Sequence, residues 1–306
     1  MNNSTQGNKP LEGRVAVVTG AGKGLGAAFA RSLAQHGAAV VVNNRVRTGA
    51  ADEAEAVAKS IRASGGRAVA ELSDVTDPEA GVRMVKAAID AFGRLDTLVL
   101  NAGTAGEAVR FSGATLDEIR QVMETNFFAN TAIVAASLEA LAATGSGRVL
   151  FISSSAGLYG VKGRAHYAAS KGALNAFAFT LADEWRGKGI TFNVLCPYAA
   201  TRMTGADDPD NPDALLAPDR IAPAASWLVS PHHDRTGEVW IGGGGWLRRV
   251  ETVETRGAAM PQQIAEFESF AEGQSGLETA RGFTGAEAAF ADLFGDLRAH
   301  LKGRPQ

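Results

Sequence analysis

The chain has 306 residues, 45% of them hydrophobic and 21% charged, with a formal net charge of −3. That apolar fraction supplies a full core, and the near-neutral balance argues against a general nucleic-acid binder, which is usually basic. The single cysteine, Cys196, excludes an internal disulfide framework and points to a reducing compartment, so a cytoplasmic location is expected.

Apolar runs of strand length alternate with longer helix-length patterns. Arg14–Thr19 opens the series, with Val15, Ala16, Val17 and Val18 forming the continuous apolar run of a strand covered on both faces. A helix over Leu25–His36 follows, then a strand at Ala39–Asn43, a helix over Ala51–Ser64 and a strand at Arg67–Ser73. Pro78–Phe92 reads as a helix with its proline in the first turn. Thr97–Leu100 is a short strand, and Leu116–Thr144 reads as one long helix. Next come a strand at Arg148–Ile152, a helix over Ala165–Arg186 and a strand at Ile190–Leu195. The series closes with a helix over Ile221–Ser230 and a short strand at Glu238–Ile241 before Gly242–Gly245. Strand–helix alternation implies parallel strands joined by right-handed crossovers. The expected fold class is therefore α/β, a single doubly wound parallel-sheet domain over residues 11–250. The remainder, 251–306, shows no strand signal and one or two weak amphipathic helices, such as Glu287–Leu301, and is read as a C-terminal extension.

The first strand runs into Thr19-Gly20-Ala21-Gly22-Lys23-Gly24-Leu25-Gly26, which opens a helix. A glycine triplet alone is a weak signal; between a buried strand and a helix it is a dinucleotide-binding fingerprint. Without Cβ atoms the backbone turns tightly and approaches a pyrophosphate, and the free N–H groups of the helix start face the anion. Gly20, Gly22, Lys23, Gly24, Leu25 and Gly26 are the candidate contacts, and the domain reads as Rossmann-type. The second strand ends in Asn43-Asn44-Arg45. An acid there holds the adenosine ribose hydroxyls, whereas a nearby Arg accommodates a 2′-phosphate. Asn44 stands at the acid's place, Arg45 is beside it and Lys23 adds a second cation, so NADP(H) is expected to be favoured over NAD(H). Asp74 and Val75, after the third strand, are placed to reach the adenine. Asn101, Ala102 and Gly103 follow the fourth strand, where the chain passes close to the cofactor, and Pro197 and Thr201 complete the set.

Tyr167 and Lys171 stand at i and i+4, on one helix face. A free tyrosine, with a pKa of about 10, is too weak an acid for efficient work near neutrality. A fixed ammonium nearby stabilises the phenolate, so Lys171 is expected to lower the Tyr167 pKa. Ser154, just after a buried strand, is placed to donate to a carbonyl oxygen on which charge develops. Ser153 and Ser155 flank it, and the choice of Ser154 rests on its spacing to Tyr167. No metal site is expected.

Taken together, Thr19-Gly20-x-x-x-Gly24-x-Gly26, Asn101-Ala102-Gly103, Asn126, Ser154 and Tyr167-x-x-x-Lys171 resemble the short-chain dehydrogenase/reductase family over about residues 11–250. The resemblance implies an NAD(P)-dependent oxidoreductase. In it Tyr167 is the acid/base, Ser154 polarises the carbonyl, Lys171 also holds the nicotinamide ribose, and Asn126 anchors a water in the proton relay. Pro197-Tyr198-Ala199-Ala200-Thr201-Arg202-Met203-Thr204 departs from the family's frequent Pro-Gly. It is similar instead to the 3-hydroxyacyl-CoA dehydrogenase part of peroxisomal multifunctional enzymes, as are Ala222-Pro223 through Trp227-Leu228 and Gly244-Gly245-Trp246. That subgroup usually ends strand two in an acid and uses NAD, a pattern that Asn44-Arg45 breaks.

A small-molecule ketone or alcohol is the expected partner, with a 3-oxoacyl thioester first and a bulky alicyclic or steroid ketone second. A non-catalytic dinucleotide sensor is the alternative from another class. Substrate loops are expected at Thr104–Phe111, Ala156–Arg164 and Tyr198–Leu216, with Tyr159, Tyr198, Met203 and Trp246 as pocket candidates. Ala206–Ala217 reads as a lid, and Arg202, Arg248 and Arg249 are candidates for CoA phosphates. The resemblance implies a homodimer or homotetramer through the long helices Leu116–Thr144 and Ala165–Arg186. Met1–Pro10 is polar and carries no secretory-leader pattern. No uninterrupted apolar run reaches about 18 residues, so no membrane span is expected. Gly303-Arg304-Pro305-Gln306 is not a Ser-Lys-Leu address signal.

Overall fold

The structure, a computed structural model, describes residues 9–46, 52–199, 214–258, 260–274 and 276–302. They fall into two compact units that divide after Arg249.

The first unit is a sheet between two layers of helices. Its strands are β1 (Val15–Val18), β2 (Ala39–Asn43), β3 (Arg67–Glu71), β4 (Thr97–Leu100), β5 (Gly147–Ile152), β6 (Ile190–Pro197), β7 (Val239–Gly243) and β8 (Trp246–Val250). Their order is β3-β2-β1-β4-β5-β6-β7-β8. Every pairing from β3 to β7 is parallel. The doubly wound α/β architecture expected from the alternation is therefore present. The order reverses between β1 and β4, and the crevice beyond their carboxyl ends is where such sheets take ligands.

The helices are α1 (Gly24–Gln35), α2 (Glu53–Ala63), α3 (Ala80–Phe92), α4 (Leu116–Met123), α5 (Ala129–Ala143), α6 (Ala156–Tyr159), α7 (Ala165–Glu184) and α8 (Ala222–Leu228). α1 packs on α2 and α8, whereas α3 packs on α5 and α4 on α7. The apolar runs of β1, β2, β4 and β5 are fully buried. Each apolar strand residue is covered by one helical layer or the other, which is why these strands read as unbroken apolar runs.

Two expectations are corrected. Leu116–Thr144 is not one regular helix: a π turn at Glu124–Phe128 separates α4 from α5. The extra residue leaves no trace in apolar periodicity, and π turns gather at functional sites. By length and composition Leu116–Ala143 is also apolar enough to cross a membrane, although the sequence contains no uninterrupted run of that length. The sheet does not end at β7: Gly244 (φ +61°) and Gly245 (φ +88°) turn the chain straight into β8. A link this short makes the pair an antiparallel hairpin. β8 escapes a pattern search because Trp246, Arg248 and Arg249 are all exposed and give no clean alternation.

The second unit holds α9 (Phe267–Gly273) and α10 (Ala286–Lys302) with two strands, β9 (Val253–Glu254) and β10 (Arg281–Gly282), paired antiparallel. The absence of strands expected in this stretch is thus corrected. Two residues are too few to leave a period-2 signal. Arg281 Nη1 donates to Asp292 Oδ1 at 2.5 Å, tying β10 to α10. Phe290 and Phe294 stack at 5.8 Å on α10.

Candidate active site

The glycine loop lies at the switch point. Gly20 and Gly24 have φ of +60° and +54°, a region that L side chains avoid. A Cβ on Gly26 would press on the Gly20 carbonyl and stand 2.5 Å from Asn101 Nδ2, so the third glycine lets α1 close onto the loop. Lys23, the N-cap of α1, makes no side-chain cap bond, which leaves the first N–H groups of the helix to an anion.

Neighbouring strands lock the loop in place. The buried Thr19 hydroxyl accepts from the backbone N–H of Asn101 and of Ala102, each at 2.9 Å. Asn101 Nδ2 donates back to the carbonyls of Thr19 (3.0 Å) and Gly20 (3.2 Å). Asn101 thus shapes the cradle with its side chain. On the other side Asn43 Oδ1 accepts from Gly20 N at 3.3 Å, while Asn43 Nδ2 donates to the buried Glu71 at 2.7 Å. Thr19, Asn43 and Glu71 were not among the expected site residues. The contacts by which they brace the loop span 23 to 83 residues in sequence, beyond the reach of a local pattern. A cavity of about 770 Å³ runs along this surface, lined among others by Gly20, Lys23, Asn44, Arg45, Asp74 and Gly103. Its size, its glycine-lined floor and the open helix N-terminus fit a dinucleotide.

At the adenosine end both of the expected cations are paired. Lys23 Nζ lies 3.0 Å from Glu53 Oε1, and Arg45 Nη1 lies 2.7 Å from Asp74 Oδ2. Asn44 Nδ2 donates to Glu53 Oε2 at 3.1 Å. Burial pushes the Asp74 carboxyl up, but hydrogen bonds from Arg45 and Thr76 outweigh it and hold its pKa below the ordinary value. Glu53, in the first turn of α2, was overlooked because it lies nine positions after Asn44, beyond the strand end where an acid is sought.

Ser154 and Tyr167 come together at the carboxyl end of β5, close enough for the serine hydroxyl to bear on the phenol. Ser153 faces inward instead, donating to the Lys171 carbonyl at 3.2 Å, and Ser155 is the N-cap of α6. Of the three serines, Ser154 is the one beside Tyr167. Lys171 is buried, and its Nζ donates to the Ile152 carbonyl at 2.7 Å. Burial pushes its pKa down to about 8. The expected lowering of the Tyr167 pKa by Lys171 is absent. Burial pushes Tyr167 up, and the opposing pulls come from the Ser154 hydrogen bond and the Arg164 charge. The ammonium stands 5.9 Å from the tyrosine ring centre, committed to a carbonyl. The Cys196 thiol, raised to about 11 mainly by burial, lies behind Ser153 and Ser154 and is inert in this state.

Asn126 sits in the π turn, fully buried. Its Oδ1 accepts from Thr104 N at 2.8 Å, and its Nδ2 donates to the Thr104 carbonyl (2.8 Å) and Ser170 Oγ (2.9 Å). Both amide hydrogens are committed within the protein. The side chain clamps the loop after β4 to α7, where Ser170 Oγ donates to the Tyr167 carbonyl.

Around Ser154 and Tyr167 the described loops are tied to one another. Val109 N donates to Gly163 O at 2.8 Å, and Arg164 Nη1 to Gly106 O at 3.0 Å. Tyr159, Tyr198, Leu215 and Trp246 all present exposed apolar surface. Thr201, Arg202, Met203 and positions 206–213 of the expected lid lie outside the described residues, and Ala214–Leu216 forms a 3-10 turn. Arg249 is held by Glu238 at 3.3 Å, and Arg248 is exposed.

Comparison with known proteins agrees with this geometry. Residues 14–212 match the family model described as short chain dehydrogenase. The chain is 36% identical over 256 residues to the peroxisomal multifunctional enzyme type 2 of Mus musculus, a match covering 81% of this chain and 34% of the mouse enzyme. It thus spans about a third of that relative's length. Among solved structures, a short chain dehydrogenase from Mycobacterium avium superposes with a TM-score of 0.76 at 31% identity, covering 89% of this chain and 97% of that one. The full-length peroxisomal multifunctional enzyme type 2 of Drosophila melanogaster gives 0.78 at 27% identity, covering 95% of this chain and 51% of that one. An NAD(P)-type cradle, a Ser–Tyr pair with its buried lysine, and these matches have one reading: the chain belongs to the short-chain dehydrogenase/reductase family of oxidoreductases.

Proposed function

We propose that this enzyme interconverts a secondary alcohol and a ketone, and that its substrate is a 3-hydroxyacyl or 3-oxoacyl thioester. The observation that carries the reaction type is the approach of Ser154 to Tyr167 at the end of the cradle, with Lys171 buried beside it. In the reducing direction both hydroxyls donate to the carbonyl oxygen as charge develops on it. Tyr167 then gives its proton. Its raised pKa keeps the phenol protonated near neutrality, as an acid must be. Lys171 would hold the nicotinamide-side ribose, and the glycine loop the pyrophosphate. The bound nicotinamide supplies or accepts the hydride. Asn126 holds the loop after β4 against α7, which keeps Tyr167 in place.

The thioester reading rests on the exposed apolar side chains of Tyr159, Tyr198, Leu215 and Trp246 and on the likeness to the multifunctional enzymes. A bulky alicyclic or steroid ketone is the second reading. It is favoured by the aromatic character of these side chains and by the pairing of Arg249 with Glu238, which occupies one candidate phosphate contact. NADP(H) is the preferred nucleotide in this proposal, by a margin of less than about tenfold, because both cations at the adenosine end are paired. The deciding assay follows oxidation of NADPH, and separately of NADH, on adding a 3-oxoacyl-CoA. Oxidation of either nucleotide supports the thioester; no oxidation moves the substrate to bulky ketones.

Replacing Ser154 with Ala is expected to lower kcat by about 10²-fold or more, the cost of removing one donor to a developing oxyanion. Steady-state kinetics in the reducing direction check this, with nucleotide Kd unchanged. Phe128 on the π turn and Phe179 on α7 expose apolar surface, which suits association through these helices. A mass of two or four chains in light scattering is the expected result; one chain would remove this part of the proposal.

A further inference from the structure

We propose that Glu53 sets the choice between NAD(H) and NADP(H), an inference that rests on the dinucleotide reading of the cradle. Strand β2 ends in Asn44 and Arg45, neither of them an acid. The carboxylate at this corner comes instead from the first turn of α2. Asp52 caps that helix, accepting from Glu55 N at 2.9 Å, and so fixes the position of the next residue. Glu53 then reaches back to the glycine loop: a Cβ added to Gly22 would stand 2.8 Å from the Glu53 Cβ and 2.6 Å from Asn44 Nδ2. One carboxylate oxygen meets Lys23 Nζ at 3.0 Å and the other accepts from Asn44 at 3.1 Å.

This geometry has two consequences for a nucleotide. Lys23, the cation of the loop, is paired with Glu53 before any ligand arrives, so the attraction it offers a 2′-phosphate dianion is reduced. A ribose diol, by contrast, donates hydrogen bonds and is favoured by a carboxylate. The second pair, Arg45 with Asp74, behaves differently. Asp74 Oδ1 also accepts from Thr76 N (3.0 Å) and Thr76 Oγ1 (2.8 Å), so that carboxylate belongs to the turn after β3 as well as to Arg45. Glu53 is therefore the carboxylate that bears on both Lys23 and Asn44. It thereby narrows, without reversing, the preference for NADP(H) that Arg45 and Lys23 give.

The test measures nucleotide affinity directly. Full-length parent, Glu53→Gln, Lys23→Ala and the double variant are titrated with NADPH and with NADH, following the fluorescence of the reduced nucleotide. Glu53→Gln is expected to raise the affinity for NADPH relative to NADH by about tenfold, equivalent to about 1.4 kcal/mol. In the Lys23→Ala background the same substitution is expected to give under half of that gain on a logarithmic scale, because the freed cation is missing. The shift should also shrink at high ionic strength. A ratio that stays within about threefold of the parent's, or a full gain without Lys23, overturns the assignment of Glu53 while leaving the dinucleotide site in place. A parent that binds neither nucleotide overturns the cradle reading and this inference with it.

Discussion

Tyr167→Phe is expected to reduce turnover by roughly 10³-fold in either direction, within the range lost when a positioned acid/base is removed. Nucleotide Kd is expected to stay within a factor of about two. The substitution deletes one hydroxyl from a half-buried ring. The phenyl group keeps the packing against α7's surroundings, and Ser154 Oγ keeps its hydrogen bond from Ala156 N at 3.2 Å. The fold should therefore survive, and the loss should fall on kcat. Single-turnover measurements with saturating nucleotide separate this outcome from a binding defect. A variant retaining a tenth or more of parental turnover would end the assignment of Tyr167 as the acid.

Lys171→Met is expected to separate stability from activity. The folded-state pKa of Lys171 is depressed from 10.5 to about 8 by burial. The ammonium is therefore a burden on the folded protein below pH 8, and the burden is relieved as pH rises from 8 towards 10.5. In proton terms, between those values the unfolded chain holds the proton that the folded chain has lost, so stability rises with pH across that window. At pH 7 the burden amounts to about 3 kcal/mol. Methionine fills a similar volume without charge but leaves the Ile152 carbonyl without its Lys171 donor, a cost of about 1–3 kcal/mol. The difference predicts a variant at least as stable as the parent at pH 7, with turnover lowered by about 10²-fold or more and weaker nucleotide binding. Denaturant titrations at pH 7 and at pH 10 check it, since the parent should gain on the variant between the two. A variant markedly less stable at pH 7 would mean that the buried ammonium holds the fold together.

How far the site was legible in the sequence varied with the range of the contacts. Gly20, Gly24 and Gly26 could be placed because a strand–turn–helix passage near a phosphate admits few other residues. Tyr167 and Lys171 could be paired because helical spacing puts them on one face. What the lysine does there was hidden. The ammonium donates to a carbonyl 19 residues away in sequence, a contact that helical spacing does not reveal. Asn126 could be singled out only through the family pattern, since the π turn that buries it has the composition of an ordinary helix.

The same division holds for charge. Lys23 and Arg45 were visible as cations beside a nucleotide loop, but their partners Glu53 and Asp74 lie 30 and 29 residues off and are brought in by the crossover of a neighbouring element. By itself the sequence determined the fold class, the order of elements from β1 to β7 and the position of the Ser–Tyr–Lys group, because apolar periodicity, glycine conformation and helical spacing act over a few residues. Only the tertiary structure decided which polar groups already have partners: the amide of Asn126, the ammonium of Lys171 and the cations of the adenosine corner. Those pairings depend on which strands and helices lie side by side, and packing settles that over separations no local pattern records.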